Sequence, residues 1–303
     1  MSILITGATG FIGGRLYKAL SNNGKEVKVI SRNSNNNFSQ LFVCDISKEK
    51  LPSNILNGVS TVFHLAGYAH DLSDPKGKED LYKRANVEAT RNLAKICVLR
   101  GVKKFIFVSS TKAGSPNITN QLPDMSFEKP QGVYGSTKRQ AEQELLKIAK
   151  NTVMNVSIVR PSLVYGPNVK GNLSSMLKGI KKGWFPPLPD AGNSRSMIHV
   201  DDLIQALLLV EKNMSVFGEI YIATDSRHYS SKEIYASLCQ ASGKKLPKWE
   251  IPIFFFKILS KINSSMKYKI EKLLGDEYYS SQKLESLGFR PLLTLKQINE
   301  TLF

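Results

Sequence analysis

Tyr134 and Lys138 stand one helical turn apart near the start of a helical pattern, so both side chains fall on one face. A phenol beside an ammonium can move protons, because the cation favours phenolate. It draws a pKa that starts near 10 toward the working range (about 10 for a free tyrosine). The same spacing recurs at Tyr268/Lys272 and Tyr279/Lys283, and context separates the three pairs. Only Tyr134 follows a strand that ends in hydroxyls, Val108-Ser109-Ser110-Thr111, and the other two pairs read as structural.

A second constellation stands at the other end of the first half, in Thr6-Gly7-Ala8-Thr9-Gly10-Phe11-Ile12-Gly13. Gly7 permits a tight turn, Gly10 lets backbone approach a pyrophosphate, and Gly13 lets a helix pack closely on a strand. The anion then sits on free N–H groups at the helix N-terminus, with Thr9, Phe11 and Ile12 completing the cradle. The triplet is specific here because it falls between a strand and a helix. After the next strand an acid would select the ribose of NAD, but the chain reads Ser31-Arg32-Asn33. Arg32 with Ser31 suits a 2′-phosphate and so predicts NADP, with NAD as the alternative. Cys44-Asp45-Ile46 closes the third strand, where Asp45 can accept from an adenine amino group. His64-Leu65-Ala66-Gly67 closes the fourth, and its small residues let a dinucleotide cross the sheet edge.

These residues need a scaffold that delivers them to one edge. Strand-like segments at 2–6, 26–31, 40–44, 61–64, 103–109 and 155–160 alternate with helical patterns at 11–23, 81–100 and 134–150. Such alternation predicts an α/β fold with a parallel, doubly wound sheet and right-handed crossovers. Past Arg160-Pro161 the regularity fades, and Pro161, Pro167, Pro186, Pro187 and Pro189 punctuate a loop-rich region. Helices follow near 202–212, whose start an aspartate of Asp201-Asp202 caps, and near 231–241. Residues 1–165 read as the dinucleotide-binding domain and 166–303 mainly as a substrate lobe, some of whose segments rejoin the main sheet. The polar stretch 33–37 reads as a loop.

Composition bounds the function. With 303 residues, 42% hydrophobic and 22% charged, the chain can bury a real core. The first strand begins at Ser2, which leaves no room for a leader and predicts a cytoplasmic protein. The aromatic-aliphatic stretch 251–262 is broken by Lys257 and Lys261 and is too short to span a bilayer, so no integral membrane segment is expected. The run 254–262 reads as a lobe helix, with a membrane surface or a partner as its alternative role. Cys44, Cys97 and Cys239 are odd in number and far apart, which supplies neither a disulfide framework nor metal-ligand spacing. Net charge is +17, but it is spread out. Residues 1–170 hold 24 basic and 12 acidic side chains, 171–240 hold 7 and 7, and 241–303 hold 11 and 6. No nucleic-acid-binding motif accompanies it, so no nucleic-acid partner is expected.

Taken together, the glycine turn, the Ser110 strand end and Tyr134/Lys138 resemble the extended short-chain dehydrogenase/reductase family, within its nucleotide-sugar epimerase/dehydratase/reductase group. The resemblance covers almost the whole chain. It includes Asn86-Val87-Glu88-Ala89-Thr90-Arg91-Asn92-Leu93, Arg160-Pro161-Ser162-Leu163-Val164-Tyr165-Gly166-Pro167 and the run from Gly192 through Arg195 and His199 to Leu203. The end, Leu274-Gly275 through Leu287-Gly288-Phe289-Arg290-Pro291, is similar as well. It implies a Rossmann sheet with a smaller C-terminal substrate-binding lobe and a nucleotide-sugar substrate. A homodimer through 81–100 and 134–150 follows from the same resemblance.

Residue by residue, the resemblance makes Tyr134 the general acid/base. Lys138 holds the nicotinamide ribose and tunes Tyr134, and Ser110 orients the reacting oxygen, with Thr111 its competitor if the register slips by one. Arg195 clamps the sugar-nucleotide pyrophosphate. Asn172, Lys112, His70 and the loop 184–189 carrying Trp184 are further candidate substrate contacts. Ser162 stands where many family members carry asparagine, and Ala89 replaces a common glycine. Thr111-Lys112-Ala113 lacks the acidic pair of a dehydratase. The implied activity is NADP-dependent reduction of a nucleotide-linked 4-keto sugar, with a UDP-linked 2-acetamido-4-keto-6-deoxyhexose as the expected substrate. An NAD-dependent UDP-hexose 4-epimerase is the alternative, and a non-catalytic dinucleotide-binding module is the third reading.

Overall fold

Runs such as Ser2-Ile3-Leu4-Ile5-Thr6 are apolar on both faces, which suits a strand covered by helices on either side. The computed structural model places them so, and it describes residues 1–34, 37–52, 54–69, 77–114, 129–213, 217–262 and 264–297. The order of elements is β1 (Ser2–Thr6), α1 (Phe11–Asn22), β2 (Val27–Ser31), β3 (Gln40–Val43), β4 (Val59–His64), α2 (Glu79–Tyr82), α3 (Ala89–Leu99), β5 (Lys104–Val108), α4 (Gly132–Lys150) and β6 (Asn155–Pro161). Then follow β7 (Leu163–Tyr165), α5 (Asn172–Lys182), β8 (Arg195–His199), α6 (Val200–Lys212), β9 (Ile220–Ala223), β10 (His228–Tyr229), α7 (Ser231–Ala241), α8 (Ile253–Leu259), α9 (Ser264–Leu274) and α10 (Gln282–Glu285).

Seven strands form one parallel sheet in the order β3-β2-β1-β4-β5-β6-β9. The register aligns Thr6 with His64 and His64 with Phe107, so the residues that follow β1, β4 and β5 emerge along one edge. That edge holds the switch point between β1 and β4, where doubly wound sheets bind ligands. Helices α1 and α6 cover one face, burying Leu16, Leu20, Leu203 and Leu207 against Ile5, Val29 and Ile106. Helices α3 and α4 cover the other, with Leu93, Cys97, Ala141 and Leu145 on Leu4, Val62 and Phe105. The C-terminal part is not wholly separate, because β9 pairs with β6 in the main sheet. The rest builds a lobe on a three-stranded sheet, β10-β8-β7, with Tyr165, Leu173, Met176, Met197, Leu238 and Phe256 in its core.

Two expectations need correction. The pattern at 81–100 is not one helix: between α2 and α3 the residues Lys83–Glu88 form a π-helical stretch. The wider turn takes in an extra residue, a feature frequent at functional sites, and here it buries Asn86. Nor does an aspartate cap α6. His199 does so, its Nδ1 accepting from the Asp201 amide at 3.2 Å. Asp202 instead accepts from the Leu292 and Leu293 amides at 3.1 and 2.9 Å and pins the C-terminal segment to the start of α6.

Candidate functional site

The glycine turn is built for close approach. Gly7 adopts φ +78°, and a Cβ there would meet the Ala66 nitrogen at 2.7 Å. At Gly13 a Cβ would lie 2.2 Å from the Gly7 carbonyl oxygen. Helix α1 has Gly10 at its N-cap and no side-chain cap, so its first N–H groups are left without a capping side chain. Thr9, Gly10 and Phe11 open onto a cleft of about 510 Å³, also lined by Lys18, Lys170 and Arg15, the last paired at 2.7 Å with Asp201 on the same wall. An uncapped helix start, backbone clearance at Gly7 and Gly13 and a cationic rim fit the diphosphate of a dinucleotide. Leu65 and Ala66 lie directly against this turn, Gly67 follows them toward Asn86 and Lys138, and Ile12 packs into the core beneath the turn.

Arg32 and Asp45 are neighbours at the ends of β2 and β3. Arg32 is exposed, and the Ser31 hydroxyl accepts from the Asn33 amide at 3.2 Å. Asp45 accepts from the amide and hydroxyl of Ser47 at 3.0 and 2.6 Å. Burial pushes its carboxyl up, but the Ser47 bonds, with Lys48 and Arg32, hold it below the usual range. Ile46 is half-buried beside it.

Beneath the strand edge runs a polar framework that sequence reasoning did not single out. The His64 ring bonds the Thr6 hydroxyl at 2.6 Å and the Thr90 hydroxyl at 2.8 Å. Thr6 in turn accepts from the Ala66 amide at 3.2 Å. Asn86 accepts from the Tyr68 amide at 2.7 Å and donates to the Tyr68 carbonyl and to the Thr137 hydroxyl on α4 at 3.1 and 3.0 Å. Burial, aided by Lys138, lowers the His64 imidazole to about 3. With the folded value below the unfolded one, the unfolded chain binds the extra proton. Stability from neutral His64 is complete above about pH 6.5 and drains as pH falls toward 3, by about 1.4 kcal/mol per unit. Urea unfolding across that window should show a shallower acid loss in His64→Gln than in the parent chain.

The proton-handling groups meet at the ends of β5 and α4. The Ser110 hydroxyl, which accepts from the Lys112 amide at 3.2 Å, also bonds the Tyr134 phenol. Thr111 is buried in the adjoining turn. Burial raises the Tyr134 phenol to about 12, against the pull of Ser110, with nearby Tyr82 adding to the rise. Lys138 donates to the Val108 carbonyl at 2.9 Å and lies 4.4 Å from the Phe107 ring centre. Burial lowers its ammonium to about 8, opposed by Glu142. A Cβ on Gly67 would stand 3.5 Å from the Lys138 nitrogen, so the end of β4 reaches the same spot. Gly135 lets α4 seat on the Ser110 turn, since a Cβ there would meet the Lys112 carbonyl at 2.1 Å. A dinucleotide that crosses Gly67 thus passes between the glycine turn and this hydroxyl pair.

On the lobe side Lys112 and Arg195 share one charged cluster. Burial lowers the Lys112 ammonium, opposed by Glu277, with Lys272 and Arg195 lowering it further. The Arg195 guanidinium is already engaged, bonding Glu277 at 2.8 Å and the Lys272 and Gly275 carbonyls at 2.7 and 3.2 Å. A pyrophosphate clamp at Arg195 therefore requires exchange of these partners. Asn172 opens α5 at an exposed position, and Trp184 is exposed with its ring edge over Gly179. His70 lies outside the described residues, as do residues 35 and 36 of the polar loop. The other two Tyr/Lys pairs go elsewhere: Tyr279 is buried outside any helix, and Lys283 pairs with Glu219 on the surface. For Tyr268 and Lys272 the structure places both on α9. All three cysteines are buried and free, and among the described residues no group of metal-ligating side chains converges. Again among the described residues, no helix is long and apolar enough to cross a membrane.

The profile of the NAD dependent epimerase/dehydratase family matches residues 3–223. The UDP-glucose 4-epimerase of Vibrio cholerae is 32% identical over 311 residues, covering 98% of this chain and 92% of that protein. The N-acetyl-alpha-D-glucosaminyl-diphospho-ditrans,octacis-undecaprenol 4-epimerase of Escherichia coli O157:H7 is 28% identical, with the same 98% and 92% coverage. Among solved structures, UDP-glucuronic acid 4-epimerase from Bacillus cereus, in complex with UDP-glucuronic acid and NAD, shares the fold. Its TM-score is 0.78 at 23% identity, covering 97% of this chain and 95% of that one.

Proposed function

The chain belongs to the NAD dependent epimerase/dehydratase family, and on that premise we propose that it is an NAD-dependent 4-epimerase of a nucleotide-linked hexose. The observation that carries this reading is the likeness to the Vibrio cholerae UDP-glucose 4-epimerase, which runs through both the glycine-turn domain and the lobe. The relatives favour this alternative over the 4-keto-sugar reductase expected from the sequence, and NAD over the NADP suggested by Arg32. Arg32 is then an exposed side chain beside Asp45 rather than a 2′-phosphate ligand.

NAD, when bound, supplies a cationic ring that takes a hydride from C4 and returns it. Ser110 and Tyr134 handle the accompanying proton: the C4 hydroxyl gives it up through the Ser110–Tyr134 pair as C4 becomes a carbonyl, and the same oxygen regains it once the ketosugar has turned and the hydride has returned to the other face of C4. Lys138 anchors the nicotinamide ribose. Gly7, Thr9, Gly10, Phe11, Ile12 and Gly13 hold the diphosphate, with Leu65, Ala66 and Gly67 along the crossing. Asp45 and Ile46 flank the adenine. Lys112, Asn172 and Arg195 face the sugar diphosphate, Arg195 trading its bond to Glu277 for the ligand. We place the reaction in the cytoplasm and the enzyme in a homodimer through α3 and α4.

The test is proton NMR of purified protein with UDP-glucose, UDP-N-acetylglucosamine or UDP-glucuronate and no added reductant. The expected result is the C4 epimer accumulating to equilibrium, approached from either side without net reduced cofactor. Stoichiometric NADPH consumption with a 4-keto sugar, and no epimer from any substrate, would restore the reductase. A second reading, favoured by the Escherichia coli relative, has the sugar diphosphate carried by a polyprenol. Epimerisation of that substrate and of no nucleotide sugar would select it.

A further inference from the structure

Helix α8 holds to the lobe by a single buried side chain, Phe256, which joins Leu173, Met176 and Tyr235 in the lobe core. On the opposite side Phe254, Phe255 and Ile258 are 51%, 48% and 57% exposed. Apolar residues continue outward on both flanks, with Trp249 and Ile262 each 63% exposed and Leu246 51% exposed. A lobe helix should turn polar residues to water, and here the outer face is the apolar one. Lysines surround it: Lys244, Lys245, Lys248, Lys257 and Lys261 are all exposed. Residues 244–274 contain eight lysines and two glutamates. Both glutamates are paired, Glu250 with Lys232 at 2.8 Å and Glu271 with Lys267 at 3.9 Å.

We propose that this face is a docking surface for an anionic lipid bilayer, with α8 lying in the plane of the interface. Phe254, Phe255 and Ile258 enter the boundary between headgroups and acyl chains, and Trp249 sits at headgroup depth, where tryptophan is enriched. Lys257 on α8 and Lys261, two residues past its end, are both exposed beside these apolar residues, where they can meet lipid phosphates. Two features of the patch select the occupant. An apolar face rimmed by cations matches a surface that is apolar within and anionic at its edge. A second copy seated on the same face would bring two lysine clusters together across a two-fold axis, like charge on like. The inference does not depend on which sugar carrier the site accepts, because it concerns a surface read without substrate.

Co-sedimentation of the full chain with vesicles tests it, using phosphatidylcholine alone against phosphatidylcholine with a third of the lipid as phosphatidylglycerol. Binding to the anionic vesicles should exceed that to neutral ones by at least tenfold (an order-of-magnitude expectation for two or more basic contacts) and weaken as salt is raised. Lys257→Glu with Lys261→Glu should cost about fivefold or more for each lysine. Phe254→Ser with Phe255→Ser and Ile258→Ser should lower binding by on the order of tenfold or more. Both variants should keep the parent's thermal midpoint and epimerisation, since none of these residues lines the candidate site. The proposal fails if the parent chain does not bind anionic vesicles, or if the triple substitution leaves binding unchanged. It fails too if that substitution only converts a dimer to monomers, which would make the face an interface between copies.

Discussion

Replacing Tyr134 by phenylalanine is expected to lower epimerisation by about three orders of magnitude, within the 10²–10⁴ range of a lost general acid/base. That corresponds to about 4 kcal/mol of transition-state stabilisation. The substitution removes one oxygen from a site otherwise unchanged. Retained dinucleotide and thermal midpoint should therefore match the parent, and only kcat should fall. The reason lies in the local electrostatics. Burial holds the phenol near 12, and the Ser110 hydroxyl works against burial but does not overcome it. Lys138 is drawn toward the Val108 carbonyl and the Phe107 ring. The phenol is consequently protonated near neutral pH until further positive charge arrives with substrate and dinucleotide in place. Steady-state kinetics, with cofactor content measured on the same preparation, checks the expectation. A Tyr134→Phe chain that turns over within tenfold of the parent would remove Tyr134 from the chemistry and return the module reading, or a different base, to consideration.

The parts of this site that could be read from sequence are those whose cause is local. Gly7, Gly10 and Gly13 announce themselves because a tight turn and a close helix crossing each demand glycine at a set spacing. Ser110 and Tyr134 stand out because a hydroxyl-ended strand precedes the helix. Six strands of the main sheet, β1 to β6, fall within one or two residues of their expected limits, since aliphatic runs between turn residues have few alternatives, whereas the seventh, β9, carried no such expectation. Residues whose role depends on distant partners gave no such signal. Asn86 supports α4 only because a π-helical stretch turns it inward, and a 3.6-residue period is blind to the extra residue. Asp202 looks like a cap at the start of α6, yet its carboxylate is held by amides ninety positions on. The short strands β7 and β10 are too brief to show alternation. Reductase and epimerase could not be separated from the same residues, because both use one hydroxyl pair and differ in where the hydride begins.

A buried ion pair shows how much of the site rests on contacts of that distant kind. Arg160 on β6 grips Glu142 on α4 with two hydrogen bonds, 2.8 Å from Nε and 2.6 Å to the second carboxylate oxygen. The two side chains are 2% and 1% exposed. Glu142→Ala would take its carboxylate partner from a buried guanidinium, and the expected loss is about 3–5 kcal/mol. For a chain of this size that lowers the thermal midpoint by on the order of 10 °C. Removing both charges with Glu142→Leu and Arg160→Met should recover most of the loss, because paired desolvation offsets much of the Coulomb attraction. Recovered stability would not restore the site. Glu142 also opposes the burial that lowers Lys138, which lies one turn away on the same helix. In the double variant the Lys138 ammonium should lose its proton at lower pH than in the parent, where it sits at about 8. The alkaline limb of the kcat profile should move to lower pH while the melt stays close to that of the parent. A double variant with the parent's midpoint and an unmoved alkaline limb would confine the pair to holding α4 on the sheet. A single Glu142→Ala that melts with the parent would show that water reaches Arg160.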